Sequence, residues 1–230
     1  AARALVELSR YEEAKQLLSD LHDTHLAASD LGATDLGATE LGATDLDAME
    51  MDAADRALAA SALAELSLAL GNYDEALDQL QHAAGLWRMA FPRVFPIHPQ
   101  TGRLLSLMAH AEYLLGDTQS ARFHLLHAQA IFQSRLGETH PDTARTANDL
   151  GAVSLALGDT QTAASAFAHA AAIASATLPP EHPDLAAAWN NLAVALKRQG
   201  HYEQARMLYE KVLAIRESSL GRNHPDTAQS

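Results

Sequence analysis

Four His-Pro dipeptides recur along the chain at one fixed spacing, and this spacing constrains the fold more than any other feature. The period is 42 residues, and the pairs begin at His98, His140, His182 and His224. A period of roughly 20–50 residues is typical of arrays in which each structural unit packs only on its neighbours. The chain is therefore predicted to be a repeat protein.

Within each period the residues predict a helix, a tight turn and a second helix. In the last full period, apolar residues recur at helical spacing from Ala187 to Gln199. Gly200 follows directly, as glycine does where a helix ends in a left-handed residue. A second helical pattern runs from about Tyr202 to Ser219. Four such helix pairs are predicted, over residues 57–90, 102–135, 144–177 and 186–219.

The last full period carries small and aromatic residues at fixed positions, and these resemble the tetratricopeptide-repeat signature. The matching residues are Trp189, Leu192, Ala193, Leu196, Gly200, Tyr202, Ala205, Tyr209 and Val212. The longer period, the Leu-Gly-x-x-His-Pro-Asp loop and the pair Asn190-Asn191 make the pattern similar to the repeats of kinesin light chain. The resemblance implies an all-α, right-handed superhelical solenoid of antiparallel helix pairs that acts in protein–protein interaction.

The chain is predicted to divide into three segments. Residues 1–26 read as a partial repeat, mostly its second helix, because the stretch from Ser9 to Ala14 matches the turn at Gly200. Residues 27–52 form a low-complexity acidic insertion, in which Asp-Leu-Gly-Ala-Thr recurs with a glycine in each unit, against stable helix. A flexible insertion is favoured over a pentapeptide β-helix. Residues 53–230 then form the solenoid, with four helix pairs and the start of a further repeat.

Composition limits the function classes. The net charge is −13, with 13 acidic and 4 basic residues in positions 1–56 alone. Such a charge disfavours binding to nucleic acid or to an anionic membrane. There is no cysteine, so disulfides and thiolate metal sites are excluded, and an intracellular, cytoplasmic protein is expected. No apolar run approaches the roughly 18 residues of a membrane span. The chain starts at Ala1 rather than methionine and stops just after a helix start, so we expect a fragment of a longer protein.

Neither a metal or cofactor site nor a catalytic site is predicted. His124 and His127, like His22 and His25, are three residues apart on a helix, but no HExxH arrangement accompanies them. The histidines of the His-Pro pairs lie on separate loops, where they are expected to help start each helix. No phosphate-binding loop and no nucleophile motif occurs, so an enzyme is not expected.

The predicted binding surface is the concave wall formed by the first helix of each pair. Helical geometry places the second, fifth, ninth and twelfth positions of each repeat on that wall. The candidates at these positions are Arg103, His110, Tyr113, Arg145, Asn148, Asn190, Val194 and Lys197, and Asn191 flanks the same face. Asparagine amides pair with a peptide backbone, and the basic residues would favour an acidic segment. The alternative is a solvated face whose asparagines are structural.

A second surface is considered at residues 91–97, where two prolines accompany four large apolar residues. Packing against a neighbouring repeat and a docking patch for another protein both fit this composition. Taken together, the residues favour an adaptor module that binds a protein or peptide ligand in the concave groove. The alternative is the regulatory or sensor arm of a larger enzyme or signalling protein.

Overall fold

The computed structural model describes the backbone of residues 43–220 and the side chains of residues 53–218. Within that range the chain is helical and contains no strand. The α helices are α1 (Ala43–Leu70), α2 (Tyr73–Ala90), α3 (Pro99–Leu115), α4 (Thr118–Leu136), α5 (Pro141–Ala156), α6 (Thr160–Thr177), α7 (Pro183–Arg198) and α8 (Tyr202–Leu220), with a 3-10 helix at Phe95–Ile97. The predicted all-α fold and its four helix pairs are confirmed.

The remaining predictions about the chain's ends lie outside the described residues. They concern the partial repeat at 1–26, the glycine-containing units of the insertion, and the further repeat that starts at His224. Helix α1 begins at Ala43, inside the range 27–52 assigned to the insertion.

The chain divides into two compact units, Ala1–Pro96 and Ile97–Ser230. In the described part of the first unit, α1 and α2 pack as a hairpin whose core includes Ala64, Ala76 and Leu80, all fully buried. The Phe91 ring packs on Trp87 with the ring centroids 4.6 Å apart, whereas Val94 is 44% exposed. The apolar residues of the 91–97 segment are thus divided between packing and exposure.

In the second unit, three helix pairs pack in sequence order. Helices α3 and α4, α5 and α6, and α7 and α8 pair with each other, while α4 contacts α5 and α6 contacts α7. Alanine and branched residues fill the spaces between successive pairs, in one cluster of Ala109, Ala121, Leu125, Leu150, Val153 and Ala166 and another of Ala163, Ala164, Phe167 and Ala195. These small side chains allow the helices to approach closely, and the stacking aligns the first helices α3, α5 and α7 along one side.

The His-Pro pairs start the first helices of the second unit. The imidazole Nδ1 of His98, His140 and His182 in each case accepts a hydrogen bond of 3.1 Å from the backbone N–H two residues later. Proline follows at the first helical position, where no N–H is needed. The predicted role of these histidines in starting the helices is confirmed for the three described pairs, and each one is an N-cap.

Candidate functional site

Three consecutive first helices of the second unit border one concavity of about 430 Å³. Its lining is Tyr113 of α3, Ala152, Leu155 and Ala156 of α5, Phe167 of α6, and Asn191, Val194 and Arg198 of α7. Three of the predicted groove residues, Tyr113, Asn191 and Val194, are therefore brought together. Their convergence depends on the stacking of the helix pairs, because Tyr113 lies two repeats before the others in the sequence.

The floor of this concavity is apolar and tightly packed. Phe167 is only 3% exposed, and its ring lies directly against the α5 backbone at Gly151. A Cβ atom added at Gly151 would lie 2.6 Å from the Phe167 ring, so the glycine is what lets the ring approach α5. Leu155 and Val194 complete the apolar floor between α5 and α7. The rim is polar, with an amide, a phenol and a guanidinium.

Asparagine side chains join the first helices of consecutive repeats. The Asn191 amide nitrogen of α7 donates a hydrogen bond of 2.7 Å to the Asn148 amide oxygen of α5. Asn148 is therefore occupied in part by a structural contact, as the alternative interpretation of the groove asparagines required. Asn190 forms no side-chain hydrogen bond with any residue that the structure describes. Among the described residues, its amide is free to pair with a ligand backbone through both its donor and its acceptor.

Next to Asn148 lies Asp149, a half-buried carboxyl group that the sequence analysis did not single out. Burial raises its pKa above the ordinary aspartate value, against the opposing effects of a hydrogen bond from Asn148 and of the charges of His110 and Arg145. Among the described residues it forms no ion pair. Asp149 occupies the position that Asn191 occupies one period later, so the repeat alignment was the signal that would have found it.

The two arginines on this wall share one buried carboxylate. Asp142, whose side chain is 8% exposed, forms an ion pair with Arg145 of its own helix and lies 3.6 Å from the Arg103 guanidinium of α3. Both arginine side chains remain more than half exposed, at 58% for Arg103 and 68% for Arg145. Their positive charge is offset by Asp142, so this part of the wall is less cationic than the sequence indicates.

At the C-terminal end of α7, the positive charge on the wall is not offset as it is at Asp142. Arg198, in the last turn of α7, forms no ion pair or hydrogen bond with any described residue and borders the 430 Å³ concavity. Lys197 instead lines a separate concavity of about 410 Å³ against α8, beside Tyr202 and Tyr209. The structure thus places Lys197 outside the 430 Å³ concavity, as it does Arg103, His110, Arg145, Asn148 and Asn190, and puts Arg198 on its border.

Of the histidines considered for metal binding, His124 and His127 have other partners, and His22 and His25 lie outside the described residues. His124 Nδ1 lies 2.7 Å from the Glu112 carboxylate, and this buried contact links α4 to α3. His127 packs on the Phe123 ring with the centroids 4.3 Å apart. In the part of the chain that the structure describes, no group of three or more histidine, cysteine or acidic side chains is arranged to hold a metal ion. No helix in that part is long and apolar enough to cross a membrane.

Comparison with protein families identifies the repeats. Two family models, both described as tetratricopeptide repeat, match the chain, one at residues 56–100 and 185–226 and the other at residues 98–176. The chain belongs to the tetratricopeptide-repeat family. These repeats are generally protein–protein interaction modules, and no catalytic family is found in the chain. No curated protein sequence matches it.

Solved structures share the fold at low sequence identity. BtubC (BKLC) from P. vanneervenii is 19% identical, with a TM-score of 0.66 over 96% of this chain and 92% of that one. A putative kinesin light chain from Podosopora anserina with nearly identical TPR-like repeats is 22% identical, with a TM-score of 0.61 over 92% and 95%. The apo form of RapI is 15% identical, with a TM-score of 0.64 over 96% and 70%. The predicted kinesin-light-chain-like solenoid is confirmed as a fold.

Proposed function

We propose that the chain is an adaptor module that binds a peptide segment of a partner protein along α3, α5 and α7. The observation that carries the proposal is the 430 Å³ concavity, which residues of these three helices border together. Binding pockets in proteins typically have volumes of about 300–1,000 Å³ and combine an apolar lining with a few placed polar groups. The volume of this concavity lies in that range, and its floor and rim offer both apolar and polar contacts to a ligand.

The apolar floor supports the affinity of such a complex. Leu155 packs against the cluster that contains the buried Phe167 ring, and together with Val194 it offers a surface for one large apolar side chain of the ligand. Burying such a side chain contributes about 1.5–3 kcal/mol. A single anchored residue of this kind commonly dominates the energetics of a protein–peptide interface.

The amides support recognition that is independent of ligand sequence. Asn190 is half-buried and its amide is unoccupied among the described residues, so it has a donor and an acceptor for a peptide backbone. Asn191 keeps one N–H after its bond to Asn148 and lies on the rim itself. Both groups lie on α7, and Asn191 borders the concavity.

The test is a selection from a displayed peptide library, followed by titration of the enriched peptides against groove variants. Val194→Glu places a charge over the apolar floor and is expected to weaken binding at least tenfold. Asn190→Ala is expected to cost about 1–2 kcal/mol of binding free energy, the scale of one lost buried hydrogen bond. The matched control is Ala168→Glu, which adds the same charge at an exposed position of α6.

Melting of each variant is followed by circular dichroism, since only a loss of binding without a loss of folding bears on the groove. Ala168→Glu should bind as the parent does. If the parent enriches no peptide, or if Val194→Glu binds every enriched peptide as well as the parent does, the groove is not the binding surface.

A further inference from the structure

We infer that the groove selects a dipolar peptide segment, with a basic side chain and an acidic side chain on opposite sides of an apolar anchor. This specificity rests on the peptide-binding function proposed above and adds the chemistry of the ligand. It differs from the acidic segment that the basic groove residues predict from the sequence alone.

The basic side chain is assigned to Asp149. This carboxylate is half-buried, and none of the described residues forms an ion pair with it. Arg145, one turn earlier on α5, is engaged by Asp142, and His110 and Arg145 act on Asp149 only through longer-range charge interactions. The hydrogen bond from the neutral Asn148 amide offsets only part of the desolvation cost of this carboxylate, since its pKa remains raised. A lysine or arginine of the ligand would offset that cost through charge-assisted hydrogen bonds.

The acidic side chain is assigned to Arg198. Its guanidinium lies on the rim of the same concavity and is unoccupied among the described residues, and the planar group suits a carboxylate in a bidentate contact. By contrast, Arg103 and Arg145 already share the Asp142 carboxylate. The available positive charge of the wall is therefore concentrated at the C-terminal end of α7.

Asp149 and Arg198 lie at different positions along the wall, because Asp149 occupies on α5 the position that Asn191 occupies one period later, and Arg198 borders the concavity at the C-terminal end of α7. Asp149 is linked to Asn191 through Asn148, and Val194 and Arg198 follow Asn191 at three and seven residues along α7. At a helical rise of about 1.5 Å per residue, Arg198 lies about 10 Å beyond Asn191 along the helix. An extended peptide advances about 3.3 Å per residue, so its two charged side chains should be separated by about three to five positions.

A uniformly acidic peptide fits this wall poorly. It would place a carboxylate against Asp149, where like charges in a half-buried site repel each other. A uniformly basic peptide would meet Arg198 in the same way. The asymmetry of the wall thus gives both selectivity and a preferred direction of the bound peptide.

The experiment uses a phage-displayed library of random octapeptides, selected in parallel on the parent chain, Asp149→Asn and Arg198→Gln. The parent is expected to enrich peptides with one basic and one acidic residue, three to five positions apart, and an apolar residue between them. Asp149→Asn should lose the enrichment of the basic residue and keep that of the acidic one. Arg198→Gln should show the reverse. Glu203→Gln on α8, 82% exposed, makes the same change in net charge as Asp149→Asn and is the control for that variant.

One enriched peptide is then synthesised with its lysine or arginine and, separately, with norleucine at that position, and both are titrated by fluorescence anisotropy. Asp149→Asn should weaken binding of the basic peptide about tenfold and leave the norleucine peptide unchanged. The dipolar ligand is wrong if the preference for a basic residue survives Asp149→Asn, or if the enriched peptides lack the charge pair. The groove function still stands in these cases if Val194→Glu abolishes binding of the enriched peptides. If the parent enriches no peptide that Val194→Glu does not also enrich, both the dipolar ligand and the groove function are wrong.

Discussion

Substitution of Gly151 by alanine tests the packing that shapes the floor of the groove. Gly151 lies inside α5, where alanine is intrinsically better than glycine by about 1 kcal/mol. The added Cβ, however, would lie 2.6 Å from two carbons of the Phe167 ring and 2.9 Å from a third. Carbon atoms in proteins pack at about 3.5–4.0 Å, so the methyl group would overlap the ring by about 1 Å.

The ring has little room to move away from this overlap. Phe167 is 3% exposed and belongs to the cluster with Ala163, Ala164 and Ala195, between α6 and α7. Overpacking of a closed site costs about 1–3 kcal/mol, and the near absence of free space places this site in the upper part of that range. After the gain in helix propensity, Gly151→Ala is expected to lower the free energy of unfolding by about 1–2 kcal/mol.

The assay is urea denaturation followed by circular dichroism, with two comparison variants. Gly85→Ala on α2 is the matched control, because a Cβ there meets nothing within 4 Å, and it should stabilise its helix by about 0.5–1 kcal/mol. Phe167→Leu combined with Gly151→Ala recreates the pair Ala109 and Leu125, which occupies the equivalent positions one period earlier, and should recover part of the loss. Stabilisation by Gly151→Ala alone, comparable to that of Gly85→Ala, would refute the packing argument.

Substitutions at three further positions test single side chains. Asp149→Asn should raise the stability of the fold at neutral pH, because a pKa raised by burial means that the ionised form of Asp149 destabilises the fold. The difference in stability from the parent should shrink as the pH falls towards the ordinary aspartate pKa of about 4, and thermal melts between pH 7 and pH 4.5 measure it. A gain in stability that does not change with pH would contradict this prediction. Ser154→Ala should raise the free energy of unfolding in urea titrations by about 1 kcal/mol, because the Ser154 hydroxyl is fully buried without a hydrogen-bond partner in the described structure. A lower free energy of unfolding in this variant would mean that the hydroxyl has a hydrogen-bond partner. His182→Ala should lower the free energy of unfolding by about 0.5–1 kcal/mol, because the α7 N-cap is lost, whereas His182→Asn should retain the cap. Equal melting temperatures for these two variants would exclude a capping role.

The sequence by itself determined the features that depend on residues close together in the chain. The period, the paired helices and their turns follow from local apolar spacing and from glycines such as Gly116 and Gly200, which adopt positive φ where a first helix gives way to a second. The His-Pro starts were predictable for the same reason, because the imidazole of His182 bonds to a backbone group only two residues away. The tetratricopeptide fold could therefore be predicted almost in full for the described residues.

Tertiary structure alone decided which groove side chains are available to a ligand. Asn148 bonds to Asn191, 43 residues away, and Arg103 meets Asp142 from a different helix, so their engagement could not be read from either residue's own neighbourhood. Phe167 in the floor comes from α6, which is the second helix of its pair, whereas the sequence predicts a concave wall formed by first helices. These outcomes depend on how closely the helix pairs stack. That distance is fixed by packing between repeats, which the spacing within one repeat does not determine.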